Sequence, residues 1–115
     1  MKSEHNRRTL PSNPTCWQRE APCACLRIET SARAAQVFPY QHLVTASLNC
    51  DDETETLHIS FSSHDVEIVG HNLRPLLFSL QDFAVKWIRP IPGRYEQLAG
   101  GENGVITSIR IEEVK

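Results

Sequence analysis

Apolar and polar residues alternate strictly in two neighbouring segments near the middle of the chain. The apolar members of these segments are Leu57, Ile59, Phe61, Val66 and Ile68. A period of two is typical of β-strands that bury one face. With residues 62–65 as the turn, the pattern predicts an antiparallel hairpin whose facing pairs are Phe61 with Val66, Ile59 with Ile68, and Leu57 with Gly70.

A segment upstream shows the same alternation. Its apolar positions are Val44, Ala46 and Leu48, and residues 50–55 form a polar stretch that suits a turn. A hairpin built on this turn brings the three apolar residues opposite Phe61, Ile59 and Leu57. Because both hairpins then bury the same face, the pattern predicts a β-meander.

The segment after the meander changes to a period of three and four. Its apolar positions are Leu73, Leu76, Leu77, Leu80, Phe83 and Ala84. This spacing predicts one amphipathic helix over about residues 72–84, with Asn72 as its N-cap and Pro75 in its first turn. The apolar stripe is expected to pack on the buried face of the meander. The residues expected to meet in this interior are Val44, Ile59, Ile68 and Leu77.

The rest of the chain supplies further strands and two segments without a period. Additional strands are predicted at residues 23–30, 35–40, 85–89 and 105–112. With about six or seven strands and one helix, the expected class is α+β, an antiparallel β-meander or rolled half-barrel closed by a last strand that returns beside an early one. Residues 1–21 are interpreted as a disordered polar leader and residues 22–115 as a single α+β domain. The glycine-rich connection from Gly93 to Gly104 is either functional or mobile, and its composition favours mobility.

Charge and hydropathy narrow the class of partner. The chain has 12 basic and 14 acidic residues, which gives a formal net charge of −2. This charge argues against sequence-independent binding to the phosphate backbone of nucleic acid. No apolar run reaches the length of about 20 residues that spans a bilayer, and the N-terminus lacks the apolar core of a secretory signal. We therefore expect no membrane association and a cytoplasmic location.

The four cysteines allow two interpretations. In a chain without an export signal, Cys16, Cys23, Cys25 and Cys50 are most simply reduced thiols. A zinc site that uses the first three is the alternative. Paired C-x-x-C knuckles, the spacing typical of structural zinc, do not occur, and alternation suits Cys23 and Cys25 equally well to a buried strand face.

Two histidines are the only candidates for a metal or ligand site on the sheet. In the predicted register His58 opposes Val69 on the outer face, lies diagonally from His71, and has Ser47 on its other side. Diagonal neighbours lie about 7–8 Å apart, within reach of a shared metal. Two solvated histidines on the polar face are the favoured interpretation of the pattern. We therefore assign no metal ligand, and His58 and His71 are the only weak candidates for one.

No segment carries the pattern of a catalytic or cofactor site. Ser63, His64 and Asp65 have the residue types of a hydrolase triad, but neighbours in a turn do not converge as a triad must. The acidic residues 51–55 lack the ligand spacing of a calcium loop, and the glycines at 100–104 precede a strand rather than a helix. We expect no enzyme activity and no cofactor, although an active site gathered from several loops leaves no sequence signature.

The sequence therefore favours a small non-catalytic domain that acts through protein contacts. The partner is either another protein or a second copy, since the long C-terminal strand can pair across a two-fold axis to form a homodimer. Trp87 and Arg89 are the candidates for an interaction surface, because a large aromatic residue beside a cation is typical of interfaces. A tryptophan at this position more often packs into the core at the junction of helix and sheet. Binding of a small ligand or metal by His58 and His71 is the alternative function.

Overall fold

The chain forms eight strands and one helix over the residues that the structure, a computed structural model, describes: 15–91 and 104–114. The strands are β1 (Trp17–Arg19), β2 (Cys25–Ser31), β3 (Ala34–Pro39), β4 (Leu43–Cys50), β5 (Glu55–Phe61), β6 (His64–His71), β7 (Val85–Ile88) and β8 (Val105–Glu113). The helix α1 spans Arg74–Gln81, and a 3₁₀ turn at Tyr40–His42 joins β3 to β4. The predicted α+β class, with mostly antiparallel strands and one helix, is confirmed.

The strands divide into two four-stranded sheets. One sheet has the order β1-β7-β2-β3, and the other has the order β4-β5-β6-β8. Strands β2 and β7 pair in parallel, whereas the other pairs are antiparallel. The last strand pairs with β6 and not with an early strand, so the predicted closure by such a return is wrong.

The register between β5 and β6 differs from the predicted one by two residues. Ile59 lies opposite Val66 and Leu57 lies opposite Ile68, while Gly70 faces Glu55. The physical reason is the turn, since β5 ends at Phe61 and β6 begins at His64, which leaves two connecting residues rather than four. A shift of two keeps every side chain on its face, so Ile59 and Ile68 are both fully buried as predicted.

The pairing of β4 with β5 agrees with the prediction over most of its length. Ala46 lies opposite Ile59, and Leu48 lies opposite Leu57. The register then shifts between Leu43 and Thr45, and Leu43 takes the place opposite Phe61. Val44 is consequently 63% exposed, so its predicted place in the interior is wrong. Such a bulge adds one residue to a strand and leaves no periodic signal.

The helix is shorter than the predicted 72–84 and begins differently. Pro75 lies in the first turn, as predicted, but Asn72 does not act as the N-cap. Asn72 has a left-handed φ of 57°, and Leu73 occupies the capping position without a side-chain bond of its own. The carboxylate of Glu55 accepts a 2.7 Å hydrogen bond from the Leu73 amide instead. A side chain from β5 thus caps the helix.

The core lies between the two sheets and under the helix. The side chains with no measurable exposure are Leu26, Ile28, Leu57, Ile59, Ile68, Leu73, Leu76, Val85, Ile88 and Ile106. Each large apolar side chain buried in this way contributes about 1.5–3 kcal/mol before entropy is subtracted. Leu77, predicted in the interior, is only partly buried and packs at the rim of the core.

Residues near the start of the described chain belong to the fold. Cys16 and Trp17 are buried, and β1 pairs with β7. The predicted leader extended to residue 21, so its last part includes a strand; residues 1–14 lie outside the described residues. Of the predicted Gly93–Gly104 connection, only Gly104 is described, where it adopts a φ of 80°.

Candidate protein-binding groove

The C-terminal end of α1 places an aromatic residue in an unusual backbone conformation. The amide of Phe83 donates to the Leu80 carbonyl at 3.0 Å, and the amide of Ala84 donates to the Ser79 carbonyl at 2.9 Å. These two bonds form a Schellman motif, whose left-handed position is usually glycine. Phe83 occupies that position with a φ of 57°. The helix therefore ends on a residue whose Cβ disfavours the conformation that it adopts.

Phe83 is 49% exposed, and its ring packs against the ring of Tyr40. Its centroid is 5.3 Å from that of Tyr40. The Tyr40 hydroxyl donates to the Val85 carbonyl at 2.6 Å and accepts from the Val85 amide at 3.0 Å, so its one oxygen binds both backbone polar groups of Val85. Burial raises the pKa of Tyr40 to about 12, so its hydroxyl remains a protonated donor to a higher pH than that of an ordinary tyrosine.

An apolar groove of about 330 Å³ runs between α1 and β4. Leu43 and Ala46 line it from β4, and Leu77 and Phe78 line it from the helix. Phe83 closes one end, and Phe78 is 53% exposed. None of the residues that line the groove is charged, so it offers a surface for apolar rather than ionic groups.

A second depression of about 660 Å³ also has Phe83 among its lining residues. Cys23, Pro39 and Tyr40 are among the residues that line it. Phe83 therefore lines both depressions, and both are lined mainly by apolar groups. Exposed apolar surface of this kind is typical of protein-binding sites.

Strand β4 leaves a polar backbone edge beside this groove. It is the terminal strand of its sheet, and no other described strand pairs with its outer side. The amide of Asp51 donates to the Thr54 carbonyl, which directs the odd-numbered residues at this end of β4 toward β5. The backbone groups of Ala46 and Leu48 therefore point outward, where another strand can pair with them.

The two candidate histidines lie apart on the sheet. His58 faces Ser47, as predicted, but on its other side it lies opposite Glu67, while His71 lies opposite Val105. His71 lies four positions beyond Glu67 on β6, a distance of about 13 Å along the strand. The predicted diagonal contact between His58 and His71 is wrong, because it depended on the register that shifts by two.

The cysteines do not assemble into a metal centre. Over residues 15–91 and 104–114, no three His, Cys, Asp or Glu side chains lie together as metal ligands would. The sulfur of Cys16 accepts a 3.3 Å hydrogen bond from the Ile106 amide, and burial raises the pKa of this thiol. Cys16 thus joins the start of β1 to β8, while Cys25 and Cys50 are exposed free thiols.

Trp87 and Arg89, the predicted interaction residues, contact each other and the N-terminal segment. The guanidinium carbon of Arg89 lies 4.4 Å from the centroid of the Trp87 ring. The Trp87 indole donates to the Gln18 side chain at 2.8 Å, and the Arg89 side chain donates to the Thr15 carbonyl at 3.1 Å. The indole N–H of Trp87 and the Nε of Arg89 therefore both have partners within the chain. A role in binding a partner stays a prediction.

Ser63 and His64 are in contact, although they do not form part of a triad. The Ser63 hydroxyl lies 2.7 Å from Nδ1 of His64. The His64 ring packs edge-on against Phe38, and Asp65 follows it on a strand whose successive side chains point to opposite faces. The carboxylate of Asp65 is therefore directed away from the pair.

Sequence reasoning did not identify the groove. The period of three and four placed Phe83 on the buried stripe, and Phe78 lies between two stripe positions as an apparently incidental residue. The one available signal was an aromatic residue at the end of the helical pattern, where glycine is usual.

No family model, curated protein or solved structure matches the chain in the three comparisons made. Over the described ranges, no helix has the length and apolar character needed to cross a bilayer.

Proposed function

We propose that this protein is a non-catalytic protein-binding domain that takes an extended segment of a partner protein along the outer edge of β4. The segment pairs with the outward backbone groups of Ala46 and Leu48. Its inward side chains enter the groove between β4 and α1. The single observation that carries this proposal is an exposed apolar groove directly beside an edge strand.

The geometry suits the addition of a strand to the sheet. Main-chain hydrogen bonds to an edge strand supply affinity, and pockets for alternate side chains supply specificity. Side chains of an extended segment alternate between two faces, so every second residue faces the groove. Because no charged residue lines the groove, those facing residues are apolar.

The conformation of Phe83 supports a binding role for its ring. A left-handed backbone costs an L-residue about 1–2 kcal/mol, a cost that glycine avoids. The ring recovers only part of this by packing, since 49% of Phe83 is exposed. Strain retained at an exposed aromatic residue is typical of functional sites, and aromatic residues are common anchors of interfaces.

Peptide selection on the purified full chain tests the proposal. A phage-displayed library of random peptides is panned, and the enriched peptides are synthesised for binding titrations by fluorescence anisotropy. We expect enrichment of apolar residues at alternate positions. Phe78→Ser is expected to weaken binding by about tenfold or more, since loss of an interface aromatic residue often costs over 1.4 kcal/mol. Val37→Ser is the control, because Val37 is 60% exposed on β3, in the other sheet.

A second pair of variants tests the backbone contact. Leu48→Pro removes an outward amide without removing a bond to β5, and Leu48→Ala removes the same side-chain packing but keeps the amide. Binding that is lost only in Leu48→Pro supports strand addition. Failure of the library to yield any binder, or peptides that bind Phe78→Ser and Leu48→Pro as tightly as the parent, would contradict the proposal.

A further inference from the structure

The opposite edge of the same sheet has a different character. Strand β8 is the terminal strand on this side and pairs only with β6 among the described residues. Its outer edge is covered at Ile106, whose carbonyl accepts a 2.8 Å hydrogen bond from the Ile91 amide. Beyond this point β8 continues to Glu113. The edge is thus long enough to pair with another strand.

The outward backbone groups on this edge belong to Ile109 and Ile111. The amide of Val114 donates to the Ser63 carbonyl at 2.9 Å, so even-numbered residues at this end direct their backbone groups toward β6. The odd-numbered residues between them direct their backbone N–H and C=O groups away from the sheet. Ile109 and Ile111 also pack against the core with their side chains, which holds the edge in place.

The charges on the outer face of β8 complement themselves under a two-fold rotation. Arg110 and Glu112 share this face, are 64% and 65% exposed and lie 3.7 Å apart, and Arg110 also pairs with Glu67 of β6 at 3.0 Å. When two β8 strands pair antiparallel with Ile111 opposite its own copy, Arg110 of each strand lies opposite Glu112 of the other. Opposite charges in directly facing positions stabilise a strand pair.

Neighbouring registers that keep the backbone pairing are less favourable. A shift of the symmetry axis to residue 110 places Arg110 opposite its own copy. A shift to residue 112 places Glu112 opposite its own copy. Like charges in facing positions destabilise a pair. The outer face of β8 carries a cation and an anion, so the facing register decides whether these charges attract or repel.

We propose that two copies of this chain pair antiparallel along β8, with a two-fold axis through Ile111. The β4-β5-β6-β8 sheet of one copy then joins the same sheet of the other copy, and together they form one sheet of eight strands with β4 at both outer ends. If the groove binds a partner segment, the dimer carries two such sites at its far ends, which permits bivalent binding. The pairing itself does not depend on the groove.

A charge exchange tests both the dimer and its register. Sedimentation velocity under reducing conditions, which exclude disulfides of the exposed Cys25 and Cys50, is expected to show a dimer of the 13.0 kDa chain at high micromolar concentration. Arg110→Glu and Glu112→Arg are each expected to weaken dimerisation by about tenfold or more, because two facing pairs become repulsive. The double variant with both changes restores opposite charges in the two facing pairs between the copies and is expected to dimerise again, although it loses the Arg110–Glu67 ion pair within each chain.

Matched controls separate this contact from general effects of charge. Arg33→Glu and Glu53→Arg make the same charge changes at exposed turn positions outside β8 and are expected to leave dimerisation unchanged. Circular dichroism checks that each variant folds. A monomeric parent chain overturns the proposal, as does a dimer that survives both single exchanges. A dimer that dissociates in Phe78→Ser but not in Arg110→Glu assigns the contact to the groove and also overturns it.

Discussion

Phe83 has a backbone conformation that its side chain disfavours, and this conformation follows from the way in which α1 ends. Two amides close the last turn on the carbonyls of Ser79 and Leu80, which requires a left-handed residue at position 83. Glycine would satisfy the requirement without strain. The ring instead borders both apolar depressions. At this position the chain retains an aromatic surface at a cost in backbone energy.

Substitution of Phe83 separates its backbone strain from its ring. Phe83→Gly and Phe83→Ala both remove the ring, but only glycine also removes the left-handed penalty. We expect Phe83→Gly to be more stable than Phe83→Ala by about 1 kcal/mol in chemical denaturation. Equal stabilities would show that residue 83 is not left-handed in solution. Both variants are expected to bind the selected peptides more weakly than the parent chain.

The helix α1 depends on a strand for its N-terminal cap. A helix N-terminus has amides without partners inside the helix and favours a negative charge. No side chain of the capping residue meets this need in α1, and Glu55 of β5 accepts the Leu73 amide at 2.7 Å. The bond couples the helix to the meander. It also positions the helix side of the groove relative to the sheet.

Substitution of Glu55 is expected to weaken this coupling. Glu55→Ala removes the acceptor, and we expect a loss of about 1 kcal/mol in the free energy of unfolding. Glu55→Gln keeps an acceptor oxygen but loses the charge, so a smaller loss is expected. Glu53→Ala, an exposed substitution in the preceding turn, serves as the control in urea denaturation. A Glu55→Ala variant as stable as this control would contradict the cap.

The two sheets are joined by two buried groups whose pKa values are raised. Tyr40 lies in the 3₁₀ turn between the sheets and binds Val85 at both backbone atoms. Cys16 precedes β1 in one sheet and accepts the Ile106 amide of the other. Burial raises the pKa of both groups, so the folded state favours the neutral phenol and the neutral thiol. Stability is consequently linked to pH on the alkaline side.

The titration of Tyr40 gives the sign and the range of this dependence. The folded pKa is about 12, and the ordinary value is 10.0, so the stabilisation is complete below pH 10 and is lost as the pH rises toward 12. The Tyr40→Phe variant has no hydroxyl to titrate at this position. It leaves the backbone N–H and C=O of Val85 without this partner, which is expected to lower the free energy of unfolding by about 1–3 kcal/mol. We expect the stability difference between parent and variant to shrink between pH 10 and 12. A difference that stays constant in denaturation at pH 8, 10 and 11 would contradict this assignment.

The amino-acid pattern alone specified the class of fold and the buried face of each central strand. Ile59 and Ile68 were placed correctly in the core because a period of two distinguishes the two faces of a strand. The helix was located because its period of 3.6 differs from that of a strand. These properties depend on residues near each other in sequence.

Tertiary contacts determined the register, the division into two sheets and the groove. A shift of two residues preserves the alternation, so the pattern could not distinguish Ile59 opposite Ile68 from Ile59 opposite Val66. The bulge that exposes Val44 and the cap supplied by Glu55 likewise leave no periodic trace. Edges and grooves arise from packing between segments distant in sequence, and these are the features on which the proposed binding functions depend.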